Sequence, residues 1–120
     1  MHPAALLVAL LACVAIIVLG ARFIVQPRQA TLDFGIGADD LRGLTEIKGA
    51  RDIASGVVLL VAWAAAGPTT LGWLLVAAAI TPTADALIVL TNDGKPAKAL
   101  GIHGLSAALL VAAGLVLALA

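Results

Sequence analysis

Four apolar runs dominate this sequence of 120 residues and limit the structures it can form. A helix needs about 20 apolar residues to cross the roughly 30 Å of hydrocarbon in a bilayer. The runs at about 3–25, 70–91 and 99–120 meet that length. Of all residues 62% are hydrophobic and 12% charged, whereas soluble domains are roughly half apolar and a quarter charged. The sequence predicts an all-α integral membrane protein, a compact bundle of four transmembrane helices in one domain.

The second apolar run is too short to cross a bilayer by itself. It offers 14 uncharged residues, from Ile53 to Ala66, before Gly67-Pro68 ends the helix. A helix of that length covers only about 21 Å. Because the chain cannot extend past the proline, the predicted span, 46–66, takes in the charged turn before it. This places Lys48, Arg51 and Asp52 inside the membrane or at its edge.

The charges predict the orientation of the bundle. Loops at 26–45 and 92–98 fall on the same side, and all seven Lys and Arg residues lie in them or near the adjoining span ends. By the positive-inside rule this side is cytoplasmic, with both termini outside the cytoplasm and the protein in the inner (plasma) membrane. The long first loop is predicted to fold back over the cytoplasmic mouth, with a short helix from Asp39 or Asp40.

The first run resembles a secretion signal in one detail only. Leu10 to Cys13 reads L-L-A-C, as a lipoprotein cleavage box does. However, no basic segment precedes the run, and apolar residues rather than a polar tether follow Cys13. We therefore expect a retained span.

Each predicted span carries a polar side chain near its cytoplasmic end. These are Arg22, Asp52, Asp85 and His103, and Asp85 lies about 6–9 Å below the end of its span by helix rise. Ionisable groups inside a membrane nearly always face the bundle interior and find partners there. We expect Asp52, Asp85 and His103 to be candidate acid/base residues. Interhelical pairing without chemistry is the alternative interpretation.

Neighbouring residues extend this polar cluster. Lys48, Asp52 and Ser55 share one helical face by their spacing, and Thr81 shares a face with Asp85. Pro82 cannot donate a hydrogen bond to the carbonyl of Ala78. The predicted substrate-binding residues are Arg51, Lys48, Ser55, Arg22 and Thr81.

Several classes of partner are not expected. A net charge of zero argues against nucleic acid, which needs a basic face. One histidine and two aspartates on separate helices lack the spacing of a metal site, so we expect no metal and no cofactor. A homodimer through small residues stays open; the candidate face is Ala107, Ala108, Ala112 and Gly104.

Five short motifs run through nearly the whole chain: A-R-F-x-x-x-P from Ala21, D-F-G from Asp33, K-G-A-R-D-I-A-S-G from Lys48, T-P-T-A-D-A from Thr81, and H-G at His103. Together they resemble a family of small four-span membrane proteins, the domain of unknown function DUF4267. The resemblance implies four spans and suggests that a set of polar residues belongs to the family pattern: Lys48, Arg51, Asp52, Asp85 and His103. It implies no activity.

Three functions remain open from the sequence. The first is a membrane enzyme of the isomerase, cyclase or epoxide-opening type acting on a lipophilic small molecule, with Asp85 or Asp52 as acid or base, His103 as partner and Arg51 holding a substrate oxygen. The second is a structural or accessory subunit whose polar residues lock the bundle. The third is a small proton-coupled transporter, although the polar cluster lies away from the midplane, where carriers bind.

Overall fold

The computed structural model describes residues 3–120, without the side chains of Leu6, Ala9 and Ala12. The predicted location of the N-terminus therefore falls outside the described residues. Every regular element in the described range is helical, which confirms the all-α prediction. In chain order the elements are α1 (Pro3–Val25), α2 (Pro27–Phe34), α3 (Leu41–Ala78), α4 (Ile80–Thr91), α5 (Pro96–Lys98), the π-helix π1 (Ala99–Gly104) and α6 (Leu105–Leu119). The chain divides into two compact units, Met1–Ala50 and Arg51–Ala120.

In the first unit, α2 packs against α1. Pro27 begins α2 at a position where the backbone N–H of an ordinary residue would have no helical partner. Gly35 ends it in the left-handed conformation, with φ +118°, and its N–H donates to the carbonyls of Thr31 and Leu32. A proline at the start and a left-handed glycine at the end define the eight-residue length of this helix.

Much of the predicted loop 26–45 is helical in the structure. Besides α2, the segment contains the start of α3 at Leu41. The carboxylate of Asp40 caps this start, because its Oδ1 accepts a hydrogen bond of 2.9 Å from the backbone N–H of Gly43. The sequence predicted a short, separate helix from Asp39 or Asp40. The helix instead continues into the apolar run, because no proline interrupts residues 41–66.

Helix α3 is interrupted where the sequence predicts, at Gly67-Pro68. Gly67 has φ 85° and ψ −179°, a conformation that favours glycine, so α3 consists of two helical segments, 41–66 and 68–78. Residues from both segments line one cavity, which requires the chain to reverse direction at Gly67. The second segment continues toward α4.

A local irregularity lies within the predicted span 70–91. Helix α3 ends at Ala78 and α4 begins at Ile80. The proline ring of Pro82 crowds the carbonyl of Ala78 and supplies no N–H to it, which explains the irregularity at this point. The hydroxyl of Thr83 donates to the carbonyl of Ala79 at 2.7 Å and stabilises the new turn. Ala79 keeps helical dihedral angles, φ −62° and ψ −14°. Its N–H donates to the carbonyl of Leu75 and its carbonyl accepts from the N–H of Thr83, so the helical path continues across the predicted span.

The turn N-D-G-K-P follows α4, within the predicted loop 92–98. Asp93 adopts φ 60°, and the N–H of Gly94 donates to the carbonyl of Val89 at 2.7 Å. The last helical region then runs from Pro96 to Leu119 without a break, and π1 forms six residues of it. Helix α4 packs against π1 and α6.

Two glycines allow close packing within the second unit. A Cβ on Gly72 would lie 2.5 Å from the backbone nitrogen of Ala118 and 2.6 Å from the carbonyl oxygen of Gly114. A Cβ on Gly114 would lie 2.6 Å from the carbonyl oxygen of Gly72. Helices α3 and α6 therefore touch backbone to backbone at this pair, the close approach that small residues permit in membranes.

Most large apolar side chains of the described residues point outward. The buried apolar residues are small, namely Ala30, Ala79 and Ala99, while Ile16, Val58, Leu60 and Leu109 are each more than half exposed. Two helices, Leu41–Thr91 and Pro96–Leu119, are long and apolar enough to cross a bilayer. A shorter apolar helix is found at Cys13–Val25. An apolar surface of this extent needs a partner or lipid to cover it.

Candidate functional site

An open cavity of about 710 Å³ lies in the second unit. Four polar side chains line it: Arg51, Asp52, Ser55 and Thr81. The rest of the wall is apolar, and its larger side chains are Val58, Leu59, Leu74 and Leu110. This volume falls within the range of pockets that hold drug-sized ligands.

One wall of the cavity is a single face of the first segment of α3. Arg51, Ser55 and Leu59 follow one another at intervals of four residues, so they stand above one another on the helix. The hydroxyl of Ser55 donates to the backbone carbonyl of Arg51 at 2.9 Å. This bond orients the serine oxygen and leaves its lone pairs available to accept a hydrogen bond.

The opposite wall comes from the chain after the reversal at Gly67. Asp52 lies fifteen residues before Gly67, and Pro82 lies fifteen residues after it. Leu59 and Leu74 lie eight residues before and seven residues after the same glycine. At about 1.5 Å of rise per residue, each pair stands at nearly the same height above the reversal. The polar residues of both walls therefore gather at one end of the cavity and the leucines at the other.

The irregularity before α4 contributes to the polar end. Ala78 and Pro82 both line the cavity, and Pro82 has no N–H to donate to the carbonyl of Ala78. The sequence predicted this effect of the proline. A backbone acceptor without its helical donor adds to the polar character of that wall.

The structure brings four of the predicted site residues together and leaves four elsewhere. Arg51, Asp52, Ser55 and Thr81 share the cavity. Asp85 and His103 are both half-buried but do not line it. They lie on α4 and π1, two elements that pack against each other. The other two, Lys48 and Arg22, lie within the first unit.

Arg22 takes part in a polar cluster of the first unit. Its guanidinium donates a 2.5 Å hydrogen bond to the carboxylate of Asp33, which also accepts a 2.8 Å bond from the side chain of Gln29. The hydrogen bond from Arg22, and to a smaller extent that from Gln29, holds the pKa of Asp33 below its ordinary value. Beside this cluster the rings of Phe23 and Phe34 meet edge to face, with centroids 6.1 Å apart.

Sequence reasoning missed two features of these regions. Asp33 was noted only as part of a motif, and its spacing of four residues from Gln29, after a helix-starting proline, could have identified the pair. The apolar wall of the cavity was also missed. Counting equal distances on both sides of Gly67-Pro68 would have placed Leu59 opposite Leu74.

His103 lies in a local irregularity that the sequence did not predict. π1 spans Ala99–Gly104, within the region predicted as the regular fourth span. Single π-helical turns inside α-helices occur frequently at functional sites. Ala99 of this turn is completely buried, and the hydroxyl of Ser106 donates to the carbonyl of Ile102 at 2.6 Å.

The side chains at the polar end of the cavity can perform three kinds of chemistry. The guanidinium of Arg51 donates hydrogen bonds in a planar fork, which suits an oxygen that carries or develops negative charge. The carboxylate of Asp52 can accept and return a proton. The hydroxyls of Ser55 and Thr81 can donate or accept. In the part of the chain that the structure describes, no group of three or more His, Cys, Asp or Glu side chains could hold a metal ion.

Comparisons with known proteins give one match. The family model described as Domain of unknown function (DUF4267) matches residues 13–117. No curated protein and no solved structure matches the chain.

Proposed function

The chain belongs to the DUF4267 family, and we propose that it is a membrane-embedded enzyme that performs acid/base chemistry on a lipophilic small molecule. One observation carries this proposal. The side chains of Arg51, Asp52, Ser55 and Thr81 line the same cavity, whose remaining wall is apolar. An apolar pocket with a few convergent polar groups is the usual form of a small-molecule site.

In this proposal each polar residue has a separate role. Asp52 transfers the proton, and Arg51 holds the substrate oxygen on which charge develops. Ser55 and Thr81 position the substrate through their hydroxyls. Chemistry of this kind includes isomerisation, cyclisation and epoxide opening, none of which needs a redox partner.

Asp85 and His103 complete the proposed machinery from the neighbouring elements. Both are half-buried, and α4 packs directly against π1. A carboxylate placed inside a bilayer is costly unless it is paired or used, about 2.5–3.5 kcal/mol on insertion scales. We assign them the exchange of the proton between the site and the cytoplasmic side. Lys48 and Arg22 have no role in this step.

The proposed setting is a bundle of four spans. The apolar helix α1, the two segments of the chain on either side of Gly67, and the region Pro96–Leu119 provide the spans. The exposure of large apolar side chains supports a lipid environment. With all seven Lys and Arg residues near one side, this side is cytoplasmic and both termini are outside. Fusions of a reporter that is active only outside the cytoplasm should be active at the C-terminus and inactive in the turn at 92–95.

The catalytic proposal is tested by comparing the lipids of membranes that contain Asp52→Asn and the wild type. The variant keeps the size and most of the hydrogen bonding of the side chain but cannot transfer the proton. Mass spectrometry of lipid extracts should show a product with the wild type that is absent with Asp52→Asn. Asp93→Asn is the matched control, because Asp93 lies in a turn at φ 60°, which asparagine adopts readily. An Asp52→Asn extract identical to that of the wild type would contradict the proposal.

A structural or accessory subunit is the second candidate, favoured by the large apolar surface that a partner helix could cover. A homodimer through the small-residue face of α6, at Ala107, Ala108 and Ala112, is one form of it. Purification in mild detergent distinguishes the two candidates. A partner recovered in constant ratio, together with wild-type behaviour of Asp52→Asn, would favour the subunit.

A further inference from the structure

The cavity of the second unit is polar at one end and apolar at the other. Asp52 and Leu59 lie on the same wall, seven residues apart, which corresponds to about 10 Å along the helix axis. Leu74 and Thr81 lie on the opposite wall and are also seven residues apart. On this wall the apolar residue comes first in the chain and the polar residue second. The change from polar to apolar thus runs in one direction along both walls, towards the reversal at Gly67.

The polar end carries one formal charge of each sign. Arg51 and Asp52 are adjacent in the chain, and both line the cavity. A ligand with a phosphate or carboxylate head would approach the carboxylate of Asp52, and one with an ammonium head would approach the guanidinium of Arg51. Like charges brought together repel, and the repulsion is stronger where a bilayer excludes water. An uncharged oxygen function meets no such penalty, because it can accept from Arg51 and donate to Asp52.

The apolar end favours a hydrocarbon chain. Leu59 and Leu74 stand on its two walls, and Val58 and Ala77 lie one and three residues nearer the polar end. Each buried CH₂ group contributes about 0.8 kcal/mol of transfer free energy. The roughly 10 Å that separate Asp52 from Leu59 along the helix correspond to about eight carbons of an extended chain.

We propose that the substrate is an uncharged, oxygen-bearing molecule with a single hydrocarbon chain, bound with its oxygen at Arg51, Asp52 and Thr81 and its chain end between Leu59 and Leu74. This assignment rests on the proposed function and specifies the class and direction of its substrate. It makes the polar end the place of reaction and the apolar end the determinant of chain length.

The direction is tested with two photo-reactive fatty alcohols of about ten carbons, one with a diazirine next to the hydroxyl and one with a diazirine near the chain end. The purified protein is labelled in lipid nanodiscs, and the modified residues are identified by mass spectrometry. The first probe should label the region of Arg51, Ser55 or Thr81, and the second that of Leu59 or Leu74. The reverse pattern, or labelling spread evenly over α1 and α6, would overturn the proposal.

The head group is tested with the same chain ending in a hydroxyl, a carboxylate or a trimethylammonium group. The alcohol should compete with the labelling probes at least tenfold better than either ion. Equal competition by all three, or a preference for an ion, would overturn the proposal for an uncharged head. This result would leave the catalytic proposal intact, because the comparison of Asp52→Asn lipid extracts is independent of these probes.

The chain-length role is tested with Ala77→Leu, which adds a side chain at the apolar end. It should weaken competition by the ten-carbon alcohol about tenfold and competition by a six-carbon alcohol less than twofold. Ala65→Leu, which adds the same side chain on α3 outside the cavity wall, is the matched control. Leu59→Ala is the second variant, since it removes atoms rather than adding them, and it should shift the preference to longer alcohols. An unchanged preference in both cavity variants would overturn this assignment.

Discussion

Two arginines, Arg22 and Arg51, occupy similar places in the sequence but different surroundings in the structure. Each lies at the predicted boundary of a span. In the first unit, Arg22 forms an ion pair with Asp33, and a glutamine and an aromatic pair complete the cluster. In the second unit, Arg51 lines a cavity with an otherwise mostly apolar wall. An ionisable residue near a membrane boundary is therefore not a site by itself; its surroundings decide its role.

The two units also differ in what holds them together. In the first unit, side-chain contacts join the end of α1 to the end of α2. In the second unit α4 packs against π1 and α6, and α3 meets α6 backbone to backbone at Gly72 and Gly114. Side-chain contacts can be lost one at a time, whereas a backbone contact leaves no room for adjustment. Mutations should consequently have larger effects on stability in the second unit.

The largest effect is expected for Gly72→Ala. The added Cβ would meet two backbone atoms at 2.5 and 2.6 Å, and neither can rotate away. We expect a loss of about 3 kcal/mol in the free energy of unfolding, at the upper end of the cost of overpacking. Gly56→Ala is the control, because nothing lies within 4 Å of a Cβ at that position of the same helix. Thermal unfolding in detergent measures both; equal midpoints would show that the helices do not touch there.

A smaller effect is expected for Arg51→Gln, and it should appear in binding rather than in stability. Loss of a charge-assisted hydrogen bond should weaken binding of the fatty-alcohol probe roughly tenfold to a hundredfold, since such bonds contribute about 1.5–3 kcal/mol. The unfolding midpoint should change little. Arg22→Gln should leave binding of the probe unchanged. It should make hydrogen exchange in α2 faster, because it removes the ion pair with Asp33. If Arg22→Gln weakens binding as much as Arg51→Gln does, the distinction between the two arginines fails.

The smallest effect is expected in the pH dependence of the packing of α2 on α1. The hydrogen bonds from Arg22 and Gln29 hold the pKa of Asp33 below its unfolded value of about 3.9. A carboxyl group with a depressed folded pKa stabilises the fold above that unfolded value and loses the contribution as the pH falls through its folded pKa. Protection of the α2 amides should therefore decrease below about pH 4. Asp33→Asn should abolish this decrease, and a pH profile unchanged in the variant would contradict the assignment.

The sequence predicts the helical regions well where local signals are strong. The Gly67-Pro68 reversal and the Asn92–Gly94 turn require backbone conformations that only a few residues adopt readily, so both were predictable. Helix α2 was not, because its amphipathic pattern covers only eight residues and its packing on α1 supplies the rest.

The candidate site was partly predictable for a similar reason. Arg51, Asp52 and Ser55 lie within one turn of a single helix, so their proximity follows from helix geometry. Asp85 and His103 were predicted to join them from a common depth in the membrane. Depth alone does not determine the direction of a side chain. The π-helix that contains His103 changes that direction in a way that the pattern of apolar residues does not reveal.

The π-helix also affects the glycine contact that follows it. A π-turn holds one residue more than an α-turn, so every side chain after it is rotated by about 100° from its position in a regular helix. In this structure the rotated register brings Gly114 against Gly72. Deleting a single residue from 99–104 would restore a regular helix and turn a bulkier side chain towards α3. The irregular turn thus sets the rotation of the whole C-terminal helix about its axis, and a change of register at His103 would separate Gly114 from Gly72.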